Sequence, residues 1–142
     1  MRYETSVDIN AEPDVIWDVL ADVERWPEWT ASMSRVERLD GDPFGEGSTA
    51  RVRQPRLPAN RWRVTDYVRG ESFSWESRSP GVTSLAEHRI AAREVGGSRV
   101  SLVLTQTGPL ARLVGMLGGR LIRRYVRLEA EGLKYDAEAR VG

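Results

Sequence analysis

Cysteine is absent from the 142 residues. That excludes disulfides, Cys-ligated zinc, iron–sulfur clusters and thiol nucleophiles. Histidine occurs once, at His88, which leaves no His-rich metal site within one subunit, and no clustered acids compensate for it. Long apolar runs are missing as well: nothing approaches the ~18–20 residues of a membrane span. The segment 1–9 is too polar for a signal peptide. A cytoplasmic location without stable membrane insertion is therefore expected. Neither sign of charge is in excess, since 21 basic and 21 acidic side chains sum to a formal charge of zero. The bulk charge therefore gives no basis for nucleic-acid binding. The Gly-x-Ser-x-Gly pattern of a serine nucleophile is also absent. No metal or cofactor is expected.

The residues present are 40% hydrophobic and 30% charged, ordinary for a soluble globular fold. The length suits one domain over 1–142 with a real core, as a monomer or homodimer. Tyr3, Thr5, Val7 and Ile9 alternate with Glu4, Ser6, Asp8 and Asn10, the period of a half-buried strand. Ala11-Glu12-Pro13 opens a helix, with Asn10 as candidate cap and Pro13 in the first turn, where its missing N–H costs nothing. Val15, Ile16, Val19 and Leu20 form its apolar stripe. Asp22 is placed to cap a second short helix over 23–26, which Pro27 limits.

Strands are predicted over 33–39, 50–54, 61–68, 72–77, 82–92 and 100–107, separated by turn segments such as Asp40-Gly41-Asp42-Pro43, Arg69-Gly70-Glu71 and Gly96-Gly97. From Leu110 to Ala139 the period changes to 3.6. Leu110, Leu113, Val114, Leu117, Leu121, Tyr125, Leu128 and Tyr135 share one broad face. Gly115, Gly118 and Gly119 lie inside that run, and each costs about 1 kcal/mol of helix stability against alanine. Either the helix breaks or kinks there, as a gate over a cavity mouth would, or something packs close against its backbone.

This order predicts an α+β fold: a strand, two short helices, about six more strands in antiparallel pairing, and one long helix. One amphipathic helix covers only part of the inner face of a seven-stranded sheet. A curved sheet closing around it leaves a space between the two.

The opening Ala11-Glu12-Pro13, Val15-Ile16-Trp17-Asp18-Val19-Leu20 and Trp26-Pro27-Glu28-Trp29 resembles the START / Bet v 1-like superfamily, within it the polyketide cyclase/dehydrase and lipid transport group. Gln54-Pro55, Leu57-Pro58, Trp62, Val64-Thr65, Phe73, Trp75, Pro80-Gly81, His88 and Gly132-Leu133-Lys134 extend the likeness over nearly the whole chain. The resemblance implies a helix-grip fold, a curved seven-stranded antiparallel sheet around the C-terminal helix, with a hydrophobic small-molecule ligand between them. It implies little about activity, because the group mixes carriers with aromatase/cyclases and offers no shared catalytic motif to carry over.

Strand parity supplies a candidate lining. If Val52, Trp62 and Val64 face inward, so do Gln54 and Asp66; Phe73 pairs with Trp75, His88 with Ile90, and Leu102 joins them. The long helix contributes Leu117, Leu121 and Tyr125, and Trp29 stands at the mouth or anchors the short helices. A mostly apolar pocket with a few placed polar groups suits a small molecule. His88 is the candidate acid or base, set against an imidazole bonded within a packed core. Asp66 is its candidate partner, or a solvent-facing residue at a bulge. Of the hydroxyls on Tyr67, Tyr125 and Tyr135, that of Tyr125 is best placed to orient a ligand. Arg51, Arg53, Arg56, Arg61 and Arg63 read as a solvated strand face, or as an anion site if one points inward. The readings open at this point are a binder, a cyclase, aromatase or dehydratase acting in the same space, and an interaction module with a filled core.

Overall fold

The computed structural model describes residues 1–142. Strand β1 (Arg2–Ile9) leads into helix α1 (Pro13–Ala21) and a 3-10 helix (Val23–Glu28). Six strands follow: β2 (Arg35–Arg38), β3 (Thr49–Arg53), β4 (Asn60–Val68), β5 (Ser72–Ser79), β6 (Val82–Ala92) and β7 (Ser98–Thr107). Helix α2 (Ala111–Val141) closes the chain. All seven strands pair antiparallel in the order β1-β7-β6-β5-β4-β3-β2. Strands β2 to β7 form a meander, whereas β1 lies beside β7 at the opposite edge from β2. The two short helices carry the chain between those edges, and α2 fills part of the concave side.

The period-two and 3.6-residue patterns therefore mark real elements, with three local corrections. Asn10 does not cap α1: Glu12 occupies that position without a side-chain bond, and the Asn10 backbone N–H instead donates to Glu138 Oε2 at 2.8 Å. Asp22 likewise precedes the 3-10 helix without capping it through its side chain. Pro27 lies inside that helix and does not stop it.

A bulge in β4 reverses the expected parity. Val64 pairs with Trp75 but Asp66 pairs with Ser74, so Thr65 is an extra residue. Asp66 is thereby exposed, in keeping with the reading that put it in solvent at a bulge, and half-buried Tyr67 takes the inward turn that simple alternation gives to Asp66.

Helix α2 runs through Gly115, Gly118 and Gly119 without a break, and it is rotated from the face defined by its large apolar residues. Ala111, Ile122, Tyr125, Ala130, Leu133 and Ala137 are buried, while Leu117 and Tyr135 are exposed at 81% and 80%. The glycines explain the rotation. A Cβ at Gly119 would lie 3.3 Å from the Tyr3 hydroxyl, and one at Gly115 would meet Met1. Small residues let β1 approach the helix, and the leucines of the same turns are displaced outward.

Gly132 is the tightest of these approaches. A Cβ there would collide with the backbone carbonyl oxygen of Trp29 and come within 3.2 Å of its ring. Gly118 has nothing within 4 Å of such an atom. Two identical substitutions should thus have opposite signs. Gly118→Ala is expected to stabilise by about 1 kcal/mol through helix propensity; Gly132→Ala is expected to destabilise by about 1–3 kcal/mol through overpacking. Denaturant unfolding of the pair checks this, and a stabilised Gly132→Ala would refute the close helix–loop packing.

Candidate ligand cavity

Between α2 and the inner sheet face lies a cavity of about 480 Å³. Its walls follow from strand parity. On β6 the inward residues are Ser84, Ala86 and His88; opposite them on β7 stand Gln106, Leu104 and Leu102. Trp75 of β5 and Trp62 of β4 form an aromatic wall, with ring centroids 5.7 Å apart and planes tilted by 37°. Helix α2 supplies Val114, Ile122, Tyr125, Val126 and Glu129. The rim is made by Leu57 and Pro58, by Ser79 and Pro80, and by Leu110.

Six of the twelve residues expected to line this space do so: Gln54, Trp62, Trp75, His88, Leu102 and Tyr125. Val64, Phe73 and Ile90 are buried in the solid core and are not part of the lining. That end of the cup is filled by the first helix and the 3-10 helix, with Trp17 edge-on against Phe73 and Trp26 tilted beside it. Trp29 packs beneath α2 against Gly132, not at the mouth. Leu117 and Leu121 line a separate cleft, shared with Met1, Tyr3 and Arg56, a consequence of the helix rotation. Arg51, Arg53, Arg61 and Arg63 are exposed, alternating with inward Ala50, Val52, Trp62 and Val64.

The chemistry concentrates at His88, which is 3% exposed. Its Nδ1 lies 3.1 Å from the Phe73 carbonyl oxygen. A carbonyl only accepts, so Nδ1 carries a hydrogen. Nε2 lies 3.2 Å from Glu129 Oε1. With Nδ1 donating to that carbonyl, Nε2 is the ring atom turned toward the Glu129 carboxyl group. Phe73 stacks on the imidazole at 4.3 Å between centroids and Trp26 meets it edge-on at 5.5 Å. These rings fix its orientation, and the pair forms a polar floor to a largely apolar space.

Asp66 has no part in this floor, since the bulge turns it to solvent. Glu129 is the partner that strand-by-strand reasoning missed. Its signal was its helical position, four residues after Tyr125 and seven after Ile122, on the face those two bury. Ser84 and Gln106 were missed too, although they continue the rows of His88 and Leu102. The Gln106 side-chain N–H donates to Ser84 Oγ at 3.3 Å, while its Oε1 has no partner. The Tyr125 hydroxyl donates to the Pro55 carbonyl oxygen, tying α2 to the β3–β4 loop beside the cavity.

A curved antiparallel sheet closed over one long helix, with an apolar space held between them, defines the helix-grip class of small α+β proteins. Within that class the chain belongs to the polyketide cyclase / dehydrase and lipid transport family, whose model matches residues 1–138. Among solved structures it is similar to the Zhui aromatase/cyclase of a Streptomyces species, at 19% identity and TM-score 0.81, over 100% of this chain and 96% of that one. It is also similar to TTHA0849 of Thermus thermophilus, at 17% identity and TM-score 0.79, over 100% of both chains. Ara h 8.0201 matches at 12% identity and TM-score 0.68, over 94% of this chain and 97% of that one. At such identities the likeness is one of fold. An uncharacterized protein of Mycobacterium tuberculosis is 34% identical over 47 residues, 33% of this chain and 28% of that protein's length.

Proposed function

We propose that the cavity binds a flat, largely apolar small molecule, such as a lipid, a polyketide or another ring-containing compound. The observation that carries this reading is the open space of about 480 Å³ walled by Trp62 and Trp75. That volume falls in the range of small-molecule sites, and the lining has the expected composition, apolar with a few polar groups. Membership of a family described by polyketide cyclisation, dehydration and lipid transport supports it. The interaction-module reading lacks its premise, because the interior is not filled.

Trp62→Ala tests the proposal. Trp62 is half-buried at the cavity wall, so its loss should leave the fold intact while removing a stacking surface worth about 1–2 kcal/mol to a flat ligand. Tryptophan fluorescence titrated with aromatic ketones and quinones is expected to saturate for the wild type and to show roughly tenfold weaker binding for the variant. Flat apolar probes that neither quench the fluorescence nor shift the melting temperature would defeat the reading.

The His88–Glu129 pair favours a second reading by a specific observation. An imidazole and a carboxyl group 3.2 Å apart on the cavity floor are suited to acid–base work on a bound carbonyl compound, as in a cyclase, aromatase or dehydratase.

A further inference from the structure

We propose that the N-terminal half of α2 and the adjoining β3–β4 loop form a face that docks on an anionic lipid bilayer, beside the mouth of the cavity. The zero net charge conceals a segregation along the chain. Between Glu94 and Glu129 the sequence contains no Asp or Glu, whereas α2 alone contributes Arg112, Arg120, Arg123, Arg124 and Arg127 over that stretch. Arg56, Arg112, Arg120, Arg123 and Arg124 form no ion pair, and Arg127 approaches Glu131 only at 3.9 Å. Arg56, Arg120, Arg123 and Arg124 line one cleft, which α2 forms with Met1 and Tyr3.

Large apolar side chains stand among these arginines. Met116 and Leu117 are 78% and 81% exposed, with Leu110 and Leu113 beside them at nearly half exposure. A strip of highly exposed, flexible apolar residues flanked by arginines is the pattern of an interfacial helix. The exposed apolar side chains enter the acyl boundary, while the arginine stems reach back to lipid phosphates. No helix of the chain is long and apolar enough to cross a membrane, so the contact is peripheral. An acidic protein would satisfy the arginines but not the exposed apolar side chains among them.

Arg56 supplies an independent sign. It occupies the third position of a turn closed by the Leu57 N–H on the Gln54 carbonyl at 3.1 Å, with Pro55 second, and its φ is 68°. Glycine adopts that conformation freely and arginine does not. An unpaired arginine kept in a strained position points to a use for its charge. Its neighbours Leu57 and Pro58, like Leu110 and Val114 of α2, line the inner cavity. The docking face and the cavity lining are therefore adjacent along the β3–β4 loop and α2, which shortens the path of an apolar ligand between lipid and cavity.

Flotation of the full chain with phosphatidylcholine vesicles, with and without about a third phosphatidylglycerol, tests this at low and high salt. Binding is expected only to the anionic vesicles and is expected to fall as salt rises. Arg56→Gly should weaken it about fivefold, the effect of one basic residue near such a surface, while keeping or raising the melting temperature. Leu117→Asp should weaken it at least tenfold, whereas Val95→Asp, equally exposed but in the β6–β7 turn, should not. Failure of the wild type to float with anionic vesicles at low salt overturns the proposal. So does wild-type binding by Leu117→Asp, which would leave the arginines to an acidic partner instead. Ligand titration of the same variants in solution keeps this outcome separate from that of the cavity.

Discussion

Trp26→Ala is expected to lower the unfolding free energy by about 3–5 kcal/mol, as truncation of a fully buried large ring does. Trp26 is 0% exposed. Its indole N–H donates to the Leu20 carbonyl at 2.9 Å, and its ring lies 5.3 Å from Trp75, 5.6 Å from Trp29 and 6.3 Å from Phe73 between centroids. It thereby joins the end of α1, the 3-10 helix and the sheet through one side chain. A 3-10 helix of six residues with an internal proline has little stability of its own, so its position depends on this anchor. Trp26→Phe retains a ring but leaves the Leu20 carbonyl unbonded in the core, and should lose an intermediate amount. Equilibrium denaturant unfolding of both variants measures the effect. A loss below about 1 kcal/mol for Trp26→Ala would mean that the helix is held elsewhere. Because Trp26 also meets the edge of His88 at 5.5 Å, the truncation should loosen the cavity floor and weaken ligand binding along with stability.

What can be read from the residues alone divides along a physical line. The repeating patterns hold wherever many residues vote together: alternation along β6 places Ala86, His88 and Ile90 on one face, and the register of β6 against β7 preserves it without interruption. Single local events are not visible in a pattern. One extra residue at Thr65 in β4 removes Asp66 from the interior; strand parity alone cannot choose between this solvent-facing alternative for Asp66 and the inward one. The rotation of α2 has a different origin. Hydrophobicity assigns Leu113, Leu117 and Leu121 to the core, but close approach of β1 demands small residues, and Gly115 and Gly119 provide them. In the sequence these glycines register as a cost to the helix; in the fold they mark which face touches the sheet. Once that face is known, Glu129 falls inward with Tyr125, and the partner of His88 is identified by geometry that no motif encodes.

That partnership yields the sharpest separation between a binder and a catalyst. Glu129→Gln is expected to leave ligand affinity within about threefold, and to reduce any turnover that relies on proton transfer by about 10²–10⁴-fold. Glutamine has the same shape, and its amide N–H can donate to His88 Nε2 across the same 3.2 Å. Packing and orientation are therefore kept, while the capacity to give up or take a proton is lost. Glu129→Leu serves as the contrast. It leaves His88 Nε2 without a partner in a site that is 3% exposed, which should cost about 1–3 kcal/mol of stability and disturb binding as well. Fluorescence titration reports affinity, and product formation from a cyclisable polyketone reports kcat/KM for the same protein. A large fall in kcat/KM at nearly constant affinity assigns the pair to acid–base catalysis. A wild type that binds the polyketone and returns it unchanged assigns it instead to the polar end of a carrier, where His88 and Glu129 orient a ligand carbonyl and do nothing further to it.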